Sequence, residues 1–550
     1  MSRKSLICLL LAAAVCLSAA GCGKTKGSGD GENNGEHSVP GVEGSVMQLL
    51  YCSSDSFNPY TAATSINREV CKLLFEPLYR VDNSFSAQPA LAATAENSEN
   101  VCRVTLRDAV FSDGSALTAA DVVYSCNLAK NTAGAYAASM YEVVSVSAEG
   151  NKTVVFKLSK RDPYFLNLLD FPIIKANSDK VTDADGVSAP PIGCGRFRLN
   201  ETGDGLLKND SYYGVHPYIE KVRLINAPDA ESVSHYVEIG AADAYYTDIA
   251  DGNIVRMSGK KADISLNNLV FIGINGSSPL LAQPELRYAI SSALDRSAIC
   301  KGAYYNNAAA ATGFFHPGFA DTAAVQTLQN TADTKIALEN LSKIGYNNSD
   351  TAGYRINSSG KHVVLSMLIN SENASRKAAA ELCAAQLKNV GIELRITEKS
   401  YADYISALAA GSFELYIGEI RVPANMDITA LVLPGGSAAY GVVEQKPSEE
   451  QTAGKKDGDN SAAAASGDTG NTGEPAAAEP APALLSELYA FYYAGTAGIG
   501  DIATALLTGL PCIPVCFRNG LLFYDSGVCD LSGASASDIF SGLSSGSPGK

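Results

Sequence analysis

Two short, almost entirely apolar stretches that lie far apart in the chain constrain the fold more than any other feature. The first runs from Leu269 to Ile274 and the second from Ile513 to Phe517. A strand that is apolar at nearly every position is buried on both faces, as in a sheet that helices cover on both sides. Strand-like and helix-like segments alternate around these stretches, and a regular 3.6-residue spacing predicts an amphipathic helix over 285–296. The pattern predicts an α/β protein.

The N-terminal segment has the pattern of an export signal that ends in a lipid attachment site. Arg3 and Lys4 precede an apolar run from Leu6 to Leu17, which is too short to span a bilayer. The letters "SAAGC", ending at Cys22, resemble a bacterial lipobox, and the alternative is an ordinary secretory signal with an incidental cysteine. We therefore expect a signal peptide over 1–21 and a lipid on the Cys22 thiol, which would hold the protein at the outer face of the cytoplasmic membrane.

Two segments lack the residues that a hydrophobic core requires. Residues 22–46 are rich in Gly, Ser, Asn and Glu, and residues 444–483 contain no Leu, Ile, Val, Met, Phe or Tyr. Such compositions bury too little surface to offset the entropy of the chain. We expect a flexible tether over 22–46 and a disordered surface insertion over 444–483.

Charge and cysteine spacing exclude several classes of function. A net charge of −16 argues against a nucleic-acid partner, which would require basic patches. The 13 cysteines form no C-x-x-C pair and have no His at metal-ligand spacing. We therefore expect no metal site and no cofactor. Cysteines downstream of Cys22 act as small apolar residues or form a few disulfides, and the sequence leaves both possibilities open.

The stretch "VTLRDAVFSDGSALTAADVVYS" combines three local signals. Alternating apolar residues predict a strand over 103–107. Asp113 and Gly114 predict a turn, and Thr118 and Asp121 have the spacing of a capping box that opens a helix. The stretch therefore predicts how a strand passes into a helix, and it contains no nucleophile or metal-ligand set.

The same stretch closely resembles a signature of the family 5 extracellular solute-binding proteins of bacterial ABC importers, the oligopeptide-, dipeptide- and nickel-binding group. Other segments resemble this family in the same order, among them "FNPYTA", "KLLFEPLYRVD", "PIGCGRFRL", "GINGSSPLLAQPELRYAISSALDRSAI" and "GSFELYIGEI". The resemblance covers 46–435 and resumes at "GLPCIPVCFRN". Some positions depart from the family pattern: Tyr213 stands where a Trp is usual and Cys194 where a Thr is usual.

The resemblance implies a periplasmic-binding-protein fold of class II, with two α/β lobes. The first lobe would comprise 47–270, including an extra subdomain, together with the returning segment 512–550. The second lobe would comprise 271–511 and carry the insertion. Two crossing strands, 269–276 and 511–517, would form the hinge between the lobes.

Three regions would face a cleft between these lobes, because ligand pockets in α/β sheets lie at the carboxyl ends of strands. They are Ser53 and Ser54 after the first strand, Asn275 at the hinge, and Glu419 with Arg421 in the second lobe. The alternatives are a simple turn for the two serines, a hinge turn for Asn275 and a solvated loop position for Arg421.

The residues that follow Gly418 depart from the family in charge. Peptide binders of this family place an acidic residue near this point, where it pairs with the α-ammonium group of the peptide. Here Arg421 lies within a few residues of Gly418. A guanidinium fork suits a carboxylate or a phosphate on the ligand instead.

The resemblance implies a monomeric, lipid-anchored binding component of an ABC importer, with no enzymatic activity. It would capture a small ligand, with peptides as the leading class, and deliver it to permease and ATPase subunits. One alternative is an extracellular hydrolase that uses the cleft, but the G-x-S-x-G match at 542–546 lies in a Ser/Gly-rich tail. The other is a family scaffold that serves as a sensor or adhesion protein.

Overall fold

The computed structural model describes residues 45–131, 136–182, 188–250, 255–443 and 484–544. The predicted signal peptide, the lipidation residue Cys22, all but the last two residues of the predicted tether, and the predicted insertion over 444–483 lie outside the described residues.

Strands in the described residues form a seven-stranded central sheet, two four-stranded sheets and two two-stranded sheets. In chain order the strands are Val46–Tyr51 (β1), Tyr79–Val81 (β2), Ala87–Pro89 (β3), Ala92–Ser98 (β4), Val101–Leu106 (β5), Val143–Glu149 (β6), Thr153–Leu158 (β7), Phe197–Leu199 (β8), Gly205–Lys208 (β9), Lys221–Asn226 (β10), Ala244–Thr247 (β11), Lys260–Ile274 (β12), Ala308–Ala310 (β13), Asn348–Ser349 (β14), Arg355–Ile356 (β15), Val364–Asn370 (β16), Glu393–Lys399 (β17), Leu415–Arg421 (β18) and Cys512–Tyr524 (β19). The central sheet has the order β11-β19-β12-β18-β16-β17, with β13 paired to β19.

Helices cover these sheets, and several begin at a side chain that accepts a hydrogen bond from a backbone N–H in the first turn. The α-helices of the described residues are Ser65–Leu74 (α1), Ala119–Asn131 (α2), Ala230–Glu238 (α3), Pro284–Ala293 (α4), Arg296–Tyr304 (α5), Thr334–Lys343 (α6), Ala374–Asn389 (α7), Tyr401–Ala409 (α8), Thr429–Val432 (α9), Leu484–Tyr489 (α10) and Ile499–Gly509 (α11).

The single helix predicted over 285–296 is wrong at its C-terminal end. α4 ends at Ala293, and α5 begins at Arg296. The reason is Asp295, whose carboxylate accepts a hydrogen bond from the backbone N–H of Ala298 at 2.8 Å and thereby opens a second helix. The apolar spacing continues through Leu294, so the sequence pattern alone did not indicate this cap.

The strand, turn and capped helix predicted around Gly114 are confirmed. β5 ends at Leu106, and Gly114 has a φ of 81°, a conformation that glycine adopts without strain. The acidic half of the capping box forms, since Asp121 accepts from the backbone N–H of Thr118 at 2.9 Å. The Thr118 hydroxyl donates to the same carboxylate at 2.8 Å, but the box is incomplete because the backbone N–H of Asp121 donates to the Thr118 carbonyl at 3.1 Å and not to this hydroxyl.

Two long strands run through the whole central sheet. β12 and β19 pair in antiparallel fashion from Lys260 opposite Tyr524 to Gly273 opposite Cys512. The register shifts beyond Ser265, where the ladder skips two residues of β12 before pairing resumes. Such a bulge bends a strand and increases its local twist. The two apolar stretches identified in the sequence are therefore paired with each other, and each is only part of a longer strand.

The apolar side chains divide into two large cores, and β12 and β19 contribute to both. The first core contains Met47, Phe156 and Phe540, together with Leu266 of β12 and Leu522 of β19. The second core is built mainly from the chain between the two strands, and its members include Leu269, Phe315, Ile417 and Phe517. The change from one core to the other coincides with the bulge, as expected if these strands join two lobes.

The cysteines that the structure describes are all buried and all free. The structure therefore supports the alternative in which these cysteines act as small apolar residues. No disulfide joins the described residues. The ten are Cys52, Cys71, Cys102, Cys126, Cys194, Cys300, Cys383, Cys512, Cys516 and Cys529.

Candidate ligand-binding cleft

A cleft of about 540 Å³ opens at the point where β12 and β19 pass from one core to the other. Its volume is in the range of small-molecule sites in proteins. One wall consists of the exposed face of α1 and the end of β11, which belong to the first core. The opposite wall consists of the chain that follows Ile420 in β18, namely Arg421, Pro423 and Ala424. Asn268 of β12 lies opposite Arg421 in the strand ladder and lines the cleft beside it.

The chain has 26 tyrosines and no Trp. Tyr136, Tyr245 and Tyr246 line the cleft. A tyrosine combines a large flat surface with a polar tip and loses little entropy when it is fixed, and such residues recur in recognition sites.

Most charged groups of the cleft are already paired with other protein groups. Lys72 binds Glu69 at 2.7 Å and donates to the backbone carbonyl of Ala536 at 2.8 Å. Arg80 contacts Asp538 at 3.3 Å. These pairs help to fix the shape of the wall, and their charges are largely neutralised before a ligand arrives.

A buried ionic cluster supports the floor of the cleft. Arg196, whose side chain is 2% exposed, binds Asp538 at 2.5 Å and donates to the carbonyl of Phe540 at 2.7 Å. Arg80 completes the cluster by pairing with the buried carboxylate of Glu76. Burial alone would raise the pKa of Asp538, but Arg196 and Arg80 hold it below its usual value. The cluster anchors the C-terminal segment to the first core.

Three charged groups of the cleft, Arg68 of α1, Asp170 and Arg421, have no ion pair with another described residue. Asp170 follows a short helical turn of the first core, and Arg421 ends β18. No cation of the described chain lies within 4.0 Å of Asp170, and no carboxylate lies within that distance of Arg421. Burial raises the pKa of Asp170, and the nearby Arg421 guanidinium partly opposes this shift.

Of the five residues predicted to bind ligand, Arg421 lines the cleft, and the structure places the two serines elsewhere. Ser53 and Ser54 are exposed in the turn after β1. The backbone N–H of Ser53 donates to the side chain of Asn226 at 2.9 Å, and the Ser54 hydroxyl lies 3.2 Å from the Cys52 thiol. Neither serine is part of the cleft lining, and a role for them in binding stays a prediction.

Asn275 lies in the turn that follows β12. Its side-chain amide donates to the carbonyls of Phe413 at 2.9 Å and Gly411 at 3.2 Å. Its carboxamide oxygen accepts from the backbone of Ser277 at 3.1 Å. These bonds are those of a residue that fixes a turn, and Asn275 is not part of the cleft lining.

Glu419 is buried below the cleft, with 8% of its side chain exposed. It binds Arg518 at 2.8 Å and Arg376 at 2.9 Å, and it accepts from the Asn268 amide at 2.9 Å. Burial opposes ionisation, but the two guanidinium groups hold the pKa of Glu419 below its usual value. Glu419 therefore joins β12, β18, β19 and α7 at the bulge, and a direct contact with ligand stays a prediction.

Sequence reasoning missed Asp170 and Arg68, which both line the cleft. α1 was predicted, but a helical spacing does not indicate which of its polar residues faces a ligand. Asp170 lies between two irregular segments, where no periodic pattern assigns a direction to its side chain.

A second contact joins the two cores away from the cleft. Lys160, just after β7, binds Glu142 at 2.7 Å and Asp427 of the loop after β18 at 2.8 Å. Its ammonium also lies 3.5 Å from the ring centre of Tyr492. The contact is largely shielded from solvent, because the Glu142 side chain is 0% exposed and that of Asp427 is 2% exposed.

Neither a metal centre nor a membrane-spanning helix occurs in the described part of the chain. The described His, Cys, Asp and Glu residues form no group of three or more that could hold a metal ion. Within the same residues, no helix is both long and apolar enough to cross a bilayer.

The two cores, the crossing strands and the cleft between the walls define a two-lobe α/β binding protein of the periplasmic type. Two solved structures support this fold. The substrate-binding protein CtaP of Listeria monocytogenes matches with a TM-score of 0.63 at 18% identity, over 91% of this chain and 98% of that one. NikA of Brucella suis, solved with Fe(III)-EDTA, matches with a TM-score of 0.62 at 19% identity, over 91% of this chain and 99% of that one. The predicted fold class is confirmed.

The sequence model of the bacterial extracellular solute-binding proteins, family 5, matches residues 86–436. The chain belongs to this family. A relative among characterised sequences is the oligopeptide-binding protein AppA of Bacillus subtilis, which is 26% identical over 425 residues, 71% of this chain and 75% of that protein. The chain is thus an extracellular or periplasmic substrate-binding component of a transporter and not an enzyme.

Proposed function

We propose that this protein captures a peptide in the cleft between its two lobes and delivers it to the permease of an ABC importer. The observation that carries the proposal is that the cleft walls belong to different cores, which only β12 and β19 join in the central sheet. A ligand that touches both walls favours the closed arrangement, because it gains those contacts in no other state. The name of the Bacillus relative supports peptides as the ligand class.

The lipid on Cys22 and the tether that follows it are part of the same proposal. A lipid-anchored protein with a flexible tether stays close to the permease and still moves between ligand capture and delivery. We propose that the protein acts as a monomer on the outer face of the cytoplasmic membrane.

We also propose a position for the boundary between the lobes. The side chains of β12 leave the first core at Leu266 and enter the second at Leu269, and those of β19 change between Phe517 and Leu521. The bulge of β12 lies in this interval. We therefore place the hinge a few residues from the sequence-based boundaries at 270 and 512.

The experiment that tests the proposal is native mass spectrometry of the purified full chain, first as isolated and then with an equimolar library of random tetrapeptides. We expect one or a few peptides to be retained at one per protein. The variant Ala138→Trp, which fills the cleft wall, should lose them. Ala402→Trp, on the exposed face of α8, is the matched control and should retain them. The proposal would be contradicted if Ala138→Trp retained peptide. It would also be contradicted if no peptide were retained by the unmodified protein or by either variant.

A further inference from the structure

The contact between the lobes that lies away from the cleft contains more carboxylates than cations. Its first-core side holds Glu142, Lys160 and Asp162, and its second-core side holds Asp427. Lys160 binds Glu142 at 2.7 Å and Asp427 at 2.8 Å, which leaves Asp162 without an ion pair to any described residue. We call these four residues the interlobe cluster.

Asp162 is 1% exposed and joins the two sides of the contact through hydrogen bonds alone. One of its oxygens accepts from the Asn425 amide of the second core at 2.8 Å, and the other accepts from the backbone N–H of Tyr164 at 2.9 Å. Neutral donors of this kind compensate a buried charge less than a cation does. Burial therefore raises the pKa of Asp162 to about 7, although Asn425 and Lys160 oppose the rise.

The other two carboxylates of the interlobe cluster differ in how well they are neutralised. One oxygen of Glu142 accepts from the Tyr141 hydroxyl at 2.6 Å and binds Lys160, but its Oε2 is buried and has no hydrogen-bond partner among the described residues. Burial raises the pKa of Glu142 in spite of Lys160. Burial also opposes the charge of Asp427, but Lys160 holds its pKa at about 2. Asp427 thus stays ionised in mild acid, where Asp162 takes up a proton.

The other ionisable groups around the interlobe cluster do not change their charge between about pH 5 and about pH 8. Burial opposes the charge of Lys160, but Asp427 raises its pKa above the usual value, so it stays a cation. Three neutral groups stay protonated because burial raises their pKa, namely Tyr141, Tyr492 and Cys102. Two further cations donate to backbone carbonyls and not to these carboxylates, namely Arg161 and Lys130.

The charges that face each other across this contact therefore depend on pH. When Asp162 and Glu142 are protonated, the first-core side carries the positive charge of Lys160 and attracts Asp427. When both are ionised, the first-core side carries a net negative charge and repels the same carboxylate. Either effect is stronger here than in water, because the groups are buried.

We propose that the interlobe cluster is a pH-dependent latch, which holds the two lobes together in acid and loosens their contact at neutral and alkaline pH. A carboxyl group with a raised pKa in the formed contact stabilises that contact fully below its usual value, 3.8 for Asp162, and this stabilisation is lost progressively as the pH rises to about 7. The latch goes beyond the proposed function, since it acts on the lobes and not on the ligand. It makes the freedom of the lobes to separate follow the pH outside the membrane.

Small-angle X-ray scattering of the ligand-free full chain at about pH 5 and about pH 8 tests this inference. We expect a larger radius of gyration at the higher pH, with the same circular dichroism spectrum at both. Hydrogen exchange followed by mass spectrometry reports on the contact itself. After correction for the effect of pH on intrinsic exchange, the segment 423–429 should exchange about tenfold faster at the higher pH.

Two variants assign the pH response to the interlobe cluster. Asp162→Asn removes one titrating group without changing the size of the side chain, and it should reduce both responses by at least about half. Adding Glu142→Gln should abolish them. The matched control is Asp321→Asn, because Asp321 is exposed at the edge of the same contact, where it accepts from Tyr164 at 2.6 Å. This control should keep the full response.

The outcomes decide the inference without reference to any ligand. Equal radii and equal exchange at the two pH values would overturn it, and so would a full response in the double variant. Loss of the response in Asp321→Asn would assign it to general surface charge and would overturn the latch as well. If circular dichroism shows that the double variant does not fold, Asp162→Asn alone decides. Because no peptide is present, failure here leaves peptide binding to its own test.

Discussion

Removing the Arg196 guanidinium should destabilise the first lobe far more than removing a cation from the surface. We consider Arg196→Met, which keeps most of the side-chain length and deletes the charge. The variant leaves the carboxylates of Glu76 and Asp538, which are 0% and 6% exposed, with one cation fewer. It also leaves the carbonyl of Phe540 without its donor at 2.7 Å.

The magnitude follows from the burial of these groups. Breaking a buried ion pair by removing one partner costs about 3–5 kcal/mol of unfolding free energy, because the remaining charge stays in a medium of low polarity. Arg80 remains within 3.3 Å of Asp538 and continues to neutralise part of this charge. We therefore expect a loss near the lower end, about 3 kcal/mol.

Equilibrium unfolding in urea, followed by circular dichroism, measures this loss. The matched control is Lys152→Met, since Lys152 pairs at 3.1 Å with Asp108, whose side chain is fully exposed. A surface pair of this kind contributes little, and the control should stay within about 0.5 kcal/mol of the unmodified protein. Equal losses in the two variants would refute the argument from burial.

Three further predictions concern the contact between the lobes and the hinge strand. Lys160→Met leaves the buried carboxylates of Glu142 and Asp427 facing each other, so the lobes of the ligand-free protein should separate. An unchanged radius of gyration in small-angle X-ray scattering would contradict this. Burial raises the pKa of Asp162 to about 7, so its contribution to stability is fully present below its usual pKa of 3.8 and is lost progressively as the pH rises to about 7. Asp162→Asn should remove this part of the fall in thermal midpoint between about pH 4 and about pH 7.5, and an unchanged fall would exclude Asp162 as its source. In Gly273→Ala the new Cβ would lie 1.9 Å from the buried ring of Tyr416, and we expect a loss of about 1–3 kcal/mol in urea unfolding, against almost none for Gly533→Ala, which has no atom within 4 Å.

Local signals in the sequence predicted much of the fold. The continuous apolar character of 269–274 and 513–517 identified two strands of the second core, and the turn at Gly114 was found from its residue type. The extension of both strands into the first core was not predicted. Ser265 and Asn519 interrupt the apolar pattern where the strands cross, because the crossing lies between cores and faces a polar cleft.

The site was predicted less well than the fold, for a physical reason. Charge type alone does not distinguish Glu419, which is bound by two guanidinium groups, from Asp170, which is bound by none. The difference is created by residues that are distant in sequence, such as Arg376 and Arg518. Arg421 was found because its position in a family motif was known, and not because of a local pattern.

The return of the C-terminal segment to the first core determines when that core can be completed. That core needs Leu522, Leu531, Phe540 and Leu543, so its sheet and helices remain incomplete until nearly the whole chain has left the ribosome. At roughly 5–20 residues per second, synthesis of the preceding chain occupies tens of seconds, during which neither core is complete, because Phe517 of β19 belongs to the second core. We therefore expect the chain to stay incompletely folded throughout its synthesis, the state in which an export machinery can thread it across a membrane.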